Sequence, residues 1–241
     1  MAGEVPQLRI DCGIGLALGA RATQQDVALA EVHDFEEQES STQALMAVLC
    51  DGMGGTQGGG AASLLCAEGM RGAFLQLETP DFNSFYIGEA RRLDALVAEM
   101  RSEEGEPIQA GTTLTSVVLM QGVMHWFSVG DSRLYIFRGN ALTQVTVDHG
   151  CGNLLSSFIG IGGLQSYDCS NSPFSLAPGD ILLLCSDGLY RTLTPDEIAR
   201  QLDQGLDAQE TAGTLVCAAL DRQMPNQDNI SVIIINLEET K

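Results

Sequence analysis

The sequence predicts an α+β fold, an α-β-β-α sandwich of two antiparallel sheets flanked by helices. Two observations carry that expectation. Strands, two helices, strands, two helices and a last strand follow one another, with no internal repeat and no domain boundary. Four apolar runs also meet an aspartate at one tip: MAVLC ends at Asp51, SVG at Asp131 and LLLCS at Asp187, while Asp228 comes just before ISVIIIN. A carboxylate at the end of a buried strand is costly unless a cation or a hydrogen-bond network receives it. The recurrence therefore points to one acidic cluster at one end of a sandwich formed by a single domain over residues 1–241.

In chain order, residues 8–18 read as a strand, 19–26 as a polar turn and 27–33 as the returning strand of a hairpin. DFEEQESSTQ (34–43) reads as a charged, solvated connection. Residues 46–50 form a continuous apolar run, the pattern of a strand buried on both faces. The DGMGG stretch (51–55) then bends the backbone sharply, bringing a carbonyl oxygen, that of Gly52, close to whatever Asp51 binds. An isolated Asp-Gly pair would be no more than a β-turn. TQGGG (56–60) extends the turn, and helices are expected over 61–77 and 83–101.

Residues 111–121, 123–129 and 133–138 read as three antiparallel strands joined by tight turns, with Gln121-Gly122 and Gly139-Asn140 as hairpin signals. A strand at 141–147 and a glycine-rich connection over 148–168, with a short helical stretch at 154–159, come next. Strands at 172–176 and 180–186 are expected to pair through the APGD turn. Thr194, Pro195 and Glu197 form a capping-box start for a helix. A last helix is expected over 207–223 and a last strand over 229–237.

Composition narrows the function. A net charge of −20, from 32 acidic and 12 basic residues, argues against nucleic acid and anionic membrane partners. It suits divalent cations or basic partner segments. A hydrophobic content of 44% supports a sizeable core, and no run of ~18 apolar residues predicts membrane insertion. MAGEVPQLRI lacks the basic-then-apolar pattern of a signal peptide. The seven cysteines form no CxxC pair, and several lie within apolar strands or helices. That placement favours a reducing, cytoplasmic setting.

DGMGG (51–55), GTT (111–113), VGDSR (129–133), SDGL (186–189) and DNIS (228–231) together resemble the PPM family, the metal-dependent type 2C Ser/Thr protein phosphatases, in its bacterial form. Each motif is weak alone; five in order, spanning nearly the whole chain, are specific. The resemblance implies two Mn²⁺ or Mg²⁺ ions between the sheets and, as in many bacterial members, a third, weaker one. Such hard ions prefer carboxylate, carbonyl and water oxygens. Two of them ~3.5–4 Å apart can hold a bridging hydroxide for in-line attack at phosphorus. By resemblance Asp51 bridges the ions, the Gly52 carbonyl binds one, and Asp187 and Asp228 complete the other. Asp26 holds metal-bound water, and Asp131 with Asp187 matches the third position. Arg21 matches the phosphate-binding arginine, whose planar fork suits phosphate oxygens. The alternatives are a surface cation for Arg21 and, for Asp131, a turn carboxylate paired with Arg133.

The chain departs from the pattern in places. Gln24 stands where asparagine is customary, Gly60 where an acidic residue is common, and Met53 where eukaryotic relatives carry a histidine proposed as general acid. His149 is followed by GCG and NLLSSFIG, so the family's usual flap is nearly absent. That compact form resembles the phosphatases that accompany type VI secretion kinases. His33, His125 and His149 are expected to be structural. Cysteine-based chemistry is disfavoured, because neither Cys50 nor Cys185 begins a C-x5-R loop. The expected activity is hydrolysis of phosphoserine and phosphothreonine on a protein substrate, opposing a Ser/Thr kinase in bacterial signalling. A partner-switching regulatory phosphatase and a catalytically silent interaction module of the same fold are the alternatives. Loss of metal aspartates would mark the silent form, and all are present.

Overall fold

The computed structural model describes residues 8–36, 41–53, 55–102, 104–151 and 154–239. The elements run β1 (Leu8–Ala17), β2 (Asp26–Glu36), β3 (Ser41–Met53), α1 (Gly55–Leu75), α2 (Phe82–Ala98), β4 (Gly111–Thr112), β5 (Leu114–Met120) and β6 (Val123–Val129). They continue with β7 (Arg133–Arg138), β8 (Ala141–Gln144), β9 (Gly150–Cys151), β10 (Leu154–Leu155), β11 (Asp168–Cys169), β12 (Phe174–Ser175) and β13 (Ile181–Cys185). The chain closes with α3 (Asp187–Tyr190), α4 (Pro195–Leu202), α5 (Ala208–Leu220) and β14 (Ile230–Glu239). One sheet has the order β11-β6-β5-β3-β2, with β12 on β6 and β4 on β3; the other has the order β1-β14-β13-β7-β8.

Strand alternation sorts the buried side chains into three layers. In β3, Met46, Val48 and Cys50 pack with Phe74 of α1 and Phe82 and Leu93 of α2. Leu45, Ala47 and Leu49 point the other way, joining Ile233, Ile235 and Leu237 of β14 between the sheets. On the opposite face of β14, Ile230, Val232 and Ile234 pack with Ala212, Leu215 and Ala219 of α5. Full burial of each large aliphatic side chain contributes about 1.5–3 kcal/mol. Strands apolar on both faces therefore hold the four layers in register, and the unbroken run at 46–50 is explained.

Several expected connections come out differently. β1 pairs with β14 along its length, from Leu8↔Glu239 to Ala17↔Ile230, whereas β2 pairs with β3. The turn between β1 and β2 thus crosses from one sheet to the other instead of closing a hairpin. The same holds for β6, which pairs with β5, and β7, which pairs with β13. β12 adds to β6 while β13 lies between β14 and β7, so the APGD turn also changes sheets. The two hairpin signals do hold. Gln121 and Gly122 have φ of 51° and 73°, and Gly139 and Asn140 have 56° and 64°, the left-handed pairs of type I′ turns.

Helix α1 starts at Gly55, so the glycines at 58–60 lie within it and not in a turn. The reason is a close approach: a Cβ on Gly59 would come within 2.9 Å of the Gly52 backbone. Among the described residues 154–168 contain no helix; Ile159 instead exchanges two backbone hydrogen bonds with Thr112, at 2.9 and 3.0 Å. The charged connection is shorter than expected, since β2 reaches Glu36 and β3 starts at Ser41. Residues 37–40, with Gly54, Gly152 and Asn153 of the quoted motifs, lie outside the described residues. The capping box at Thr194 forms as expected, with Pro195 in the first turn.

Candidate metal and phosphate site

The β2–β3 register sets Asp26 directly opposite Asp51. The backbone of Asp51 is fixed on its other side by the GTT stretch. Its N–H donates to Thr113 Oγ1 at 2.9 Å, and its carbonyl accepts from the Thr113 N–H at 2.9 Å and from Thr112 Oγ1 at 3.0 Å. Thr113 Oγ1 also shares a 2.7 Å hydrogen bond with Ser132 Oγ, which ties the turn carrying Asp131 to the same strand end. Gly52 faces Thr112 and donates its N–H to the Gln25 carbonyl at 3.2 Å.

Asp187 opens α3 directly after β13, and Asp228 comes just before β14. A Cβ on Gly188 would fall 2.0 Å from the Asn229 carbonyl oxygen, so only glycine lets α3 lie on the segment that carries Asp228. Asn229 in turn holds the Arg21 turn. Its Oδ1 accepts from the Gln25 N–H at 2.8 Å, and its Nδ2 donates to the Leu18 and Thr23 carbonyls at 3.0 and 3.1 Å. Gln24, in place of the customary asparagine, accepts from the Asp26 N–H at 3.2 Å and donates to the Ala17 carbonyl at 3.3 Å. The departure at this position leaves the turn closed.

The carboxylates share one electrostatic environment. Burial, reinforced by Asp26, Asp187, Asp228 and Asp131, pushes the Asp51 carboxyl well above the usual range. Burial also raises Asp26, which is only 4% exposed, against hydrogen bonds from Ser231 and Ser186; the Ser231 hydroxyl donates to its Oδ2 at 2.6 Å. Asp187 is pushed up to about 6 by burial, opposed by Arg191 and assisted by Asp131, Asp228 and Asp26. Low dielectric and like charge both disfavour ionisation here.

Two guanidinium groups answer these charges. Arg21 Nη2 lies 2.7 Å from Asp228 Oδ2. Arg191 Nη2 lies 3.0 Å from Asp131 Oδ2, and its Nε 3.2 Å from Asp187 Oδ2. Tyr190 donates its hydroxyl to the same Asp131 oxygen at 3.2 Å. The expected alternative pairing of Asp131 with Arg133 is not what forms. Arg133 grips Asp148 through Nε and Nη2, at 3.1 and 2.7 Å, and stacks over Tyr190 at 3.6 Å. Arg133 begins β7 in the other sheet, and there Asp148 faces its fork.

All the predicted carboxylates are thus brought together, with Arg21 at their edge. Arg191 and Tyr190 are the participants that sequence reasoning missed. The available signal was an acid–base pair four residues apart, Asp187 and Arg191, which meets only if the intervening turn is helical. The histidines bind the scaffold: His149 through its backbone N–H and ring Nδ1 with the Gly130 carbonyl, at 2.8 and 3.3 Å, His33 through Nε2 with the Leu77 carbonyl at 3.1 Å, and His125 against the Phe82 ring.

The residues present fit divalent cations. With every carboxylate ionised, five aspartates and two arginines leave a net −3. Asp187 Oδ1 is buried without a hydrogen-bond partner. Such an orphaned oxygen is costly, and a hard cation is the partner it suits. Among the described residues no group of three or more His, Cys, Asp or Glu side chains is arranged to hold a metal ion as it stands; Arg21 lies on Asp228 and Arg191 on Asp131.

The Stage II sporulation protein E (SpoIIE) family model matches residues 41–238. The serine/threonine phosphatase stp of Listeria welshimeri is 24% identical over 225 residues, covering 83% of this chain and 86% of its own. The catalytic domain of the serine/threonine protein phosphatase PstP, solved with two manganese ions, superposes with a TM-score of 0.80 at 24% identity, covering 97% of this chain and all of that one. PppA, a key regulatory component of the type VI secretion system in Pseudomonas aeruginosa, superposes at 0.78 with 23% identity, covering 95% of this chain and 97% of that one. The structural likenesses show a common fold, and the family match runs through the strand-end aspartates at Asp51, Asp131, Asp187 and Asp228. The chain belongs to the SpoIIE/PPM-type family of bacterial protein phosphatases.

Proposed function

We propose that this chain hydrolyses phosphoserine and phosphothreonine on proteins with two Mn²⁺ or Mg²⁺ ions held by the strand-end carboxylates. The observation that carries this reading is the unpartnered, buried Oδ1 of Asp187 beside the half-buried Asp51. Asp51 would lie between the ions, with the Gly52 carbonyl on one, Asp187 and Asp228 on the other, and Asp26 acting through water. When bound, such ions supply an activated water and offset charge at phosphorus.

The chain's own groups do the rest. Ser231 and Asn229 fix Asp26 and the Arg21 turn, so neither must reorganise when substrate arrives. The Arg21 side chain is 55% exposed and rests on Asp228, within reach of an incoming anion. A cation on Asp228 would compete for that carboxylate, freeing the guanidinium fork for phosphate oxygens. Met53 has no proton to give, so the leaving serine or threonine oxygen takes its proton elsewhere than from that position.

The protein substrate and its Ser/Thr kinase are the implied partners, in cytoplasmic signalling. Cys12, Cys50, Cys66, Cys169, Cys185 and Cys217 are free thiols, and among the described residues no helix is long and apolar enough to cross a membrane. Type VI secretion is the candidate pathway, supported by the compact 148–168 connection and the fold shared with PppA. The test is phosphate release from a phosphoserine protein and from p-nitrophenyl phosphate. Chelation should abolish both and Mn²⁺ should restore them. Full activity in protein shown metal-free by elemental analysis would overturn the proposal.

A further inference from the structure

We propose that Arg191 is a built-in counter-cation that closes the outer end of the carboxylate cluster, so that the site takes up two divalent ions and not three. The inference rests on the metal-dependent reading above and concerns how many ions that site admits.

Its basis is how Asp187 and Asp131 are shared. One oxygen of Asp187, Oδ2, is taken by Arg191 Nε at 3.2 Å, while the other, Oδ1, is buried and unpartnered. The carboxylate is thus divided, one oxygen facing a fixed cation and the other left for a metal. Asp131 is held from two sides, by Arg191 Nη2 at 3.0 Å and by the Tyr190 hydroxyl at 3.2 Å, both on Oδ2. Tyr190 is itself set by Arg133, which stacks on its ring while bound to Asp148. Arg191 caps the single turn that begins at Asp187, so the short tether of α3 delivers its charge to this position. Asp131 with Oδ2 of Asp187 would otherwise offer a hard cation two adjacent carboxylate donors. A further divalent ion there would have to share Asp187 Oδ2 and the Asp131 carboxylate with a guanidinium that cannot lose its proton.

The test counts ions. Metal-stripped protein is dialysed against Mn²⁺ alone, and bound manganese is measured by elemental analysis and native mass spectrometry. Wild type should hold two ions. Arg191→Ala should hold a third, at least tenfold tighter than any third-ion binding by wild type. Arg191→Lys, which keeps the charge, should stay at two, and adding Asp131→Asn to Arg191→Ala should return the count to two. Asp131→Asn alone, which needs no loss of the arginine, should leave the count at two. Three ions in wild type or in Arg191→Lys, two in Arg191→Ala, or loss of an ion in Asp131→Asn would each overturn the inference. No bound manganese in wild type would instead overturn the metal-dependent reading itself.

Discussion

Replacing Asp94 by asparagine tests what holds the glycine-rich connection before β11 in place. Asp94 lies on α2 and is 2% exposed. Its Oδ1 accepts from the N–H groups of Gly160 and Gly162, at 2.8 and 3.2 Å, and its Oδ2 from those of Gly163 and Leu164, at 2.6 and 2.9 Å. The preceding residue, Ile159, pairs with Thr112, whose hydroxyl supports the Asp51 carbonyl, so the clamp reaches the site through one strand end. Asparagine keeps the shape but places an NH₂ group against two of the four N–H donors. Each oxygen faces one donor on an exposed glycine, Gly162 or Gly163, that water can satisfy, and one that is more shielded, Gly160 or Leu164. A shielded donor left without an acceptor costs roughly 1–3 kcal/mol, so the expected loss is about 2 kcal/mol. Burial raises the Asp94 carboxyl, yet the four N–H groups outweigh it and hold it below the ordinary value. A depressed acid stabilises the fold fully above its unfolded pKa, about 3.9, and loses that contribution as pH falls through the folded value. The gap between wild type and Asp94→Asn should therefore be constant from about pH 5 to 8 and shrink below about pH 4. Urea denaturation across that range measures it. A loss under about 0.5 kcal/mol at pH 7, or a gap that widens below pH 4, would refute the clamp.

In metal-stripped protein, burial raises Asp187 to about 6. A raised acid costs stability that appears as pH climbs past its unfolded value and persists above the folded one. Asp187→Asn should therefore match or exceed wild type at pH 7.5 without metal and lose that advantage near pH 4. With Mn²⁺ the order should reverse, because ligand bound to the native state stabilises it; a metal-free variant markedly weaker at pH 7.5 would count against the acidic-cluster argument. Arg21→Ala should raise KM about tenfold or more and change Mn²⁺ affinity less than about threefold, with Arg21→Lys recovering part of the loss. Kinetics with Mn²⁺ titration decide this, and a tenfold loss of metal binding would make Arg21 part of the metal site. With so short a 148–168 connection, phosphopeptides of varied sequence should show kcat/KM values within about tenfold, a spread of ~1.4 kcal/mol. A hundredfold preference for one short peptide would show that flanking residues are read.

The layers were legible because two-sided burial leaves unbroken apolar runs, as at residues 46–50 and in the isoleucines of β14. Partnership was not. A strand apolar on both faces carries the same pattern whether its chain neighbour lies beside it or faces it across the sandwich. Adjacency therefore suggested hairpins at β1–β2, β6–β7 and β12–β13, where the chain changes sheets. The glycines at 58–60 read as a turn because each costs a helix about 1 kcal/mol relative to alanine, but at Gly59 the approach of α1 to Gly52 leaves no room for a Cβ, and Gly58 is similarly close to Gln109 and Ala110. The aspartates were legible for the opposite reason, being polar where the pattern demands apolar, whereas the cations that hold them depend on folded geometry. Arg133 stands two residues from Asp131 yet binds Asp148, and Arg191 reaches Asp131 from sixty positions away.

The illegible connections and the site have a common cause. The turn from β1 to β2 carries Arg21, and the turn from β6 to β7 carries Asp131; each passes from one sheet to the other. A hairpin would have kept each residue at the rim of a single sheet. Because these turns change sheets, Arg21 meets Asp228 at the start of β14, and Asp131 meets Arg191 and Asp187's turn beyond β13. Asp26 and Asp51 come from the facing sheet. The cluster therefore needs both sheets, and a substitution that shifts one sheet against the other should disturb the carboxylates without touching any of them.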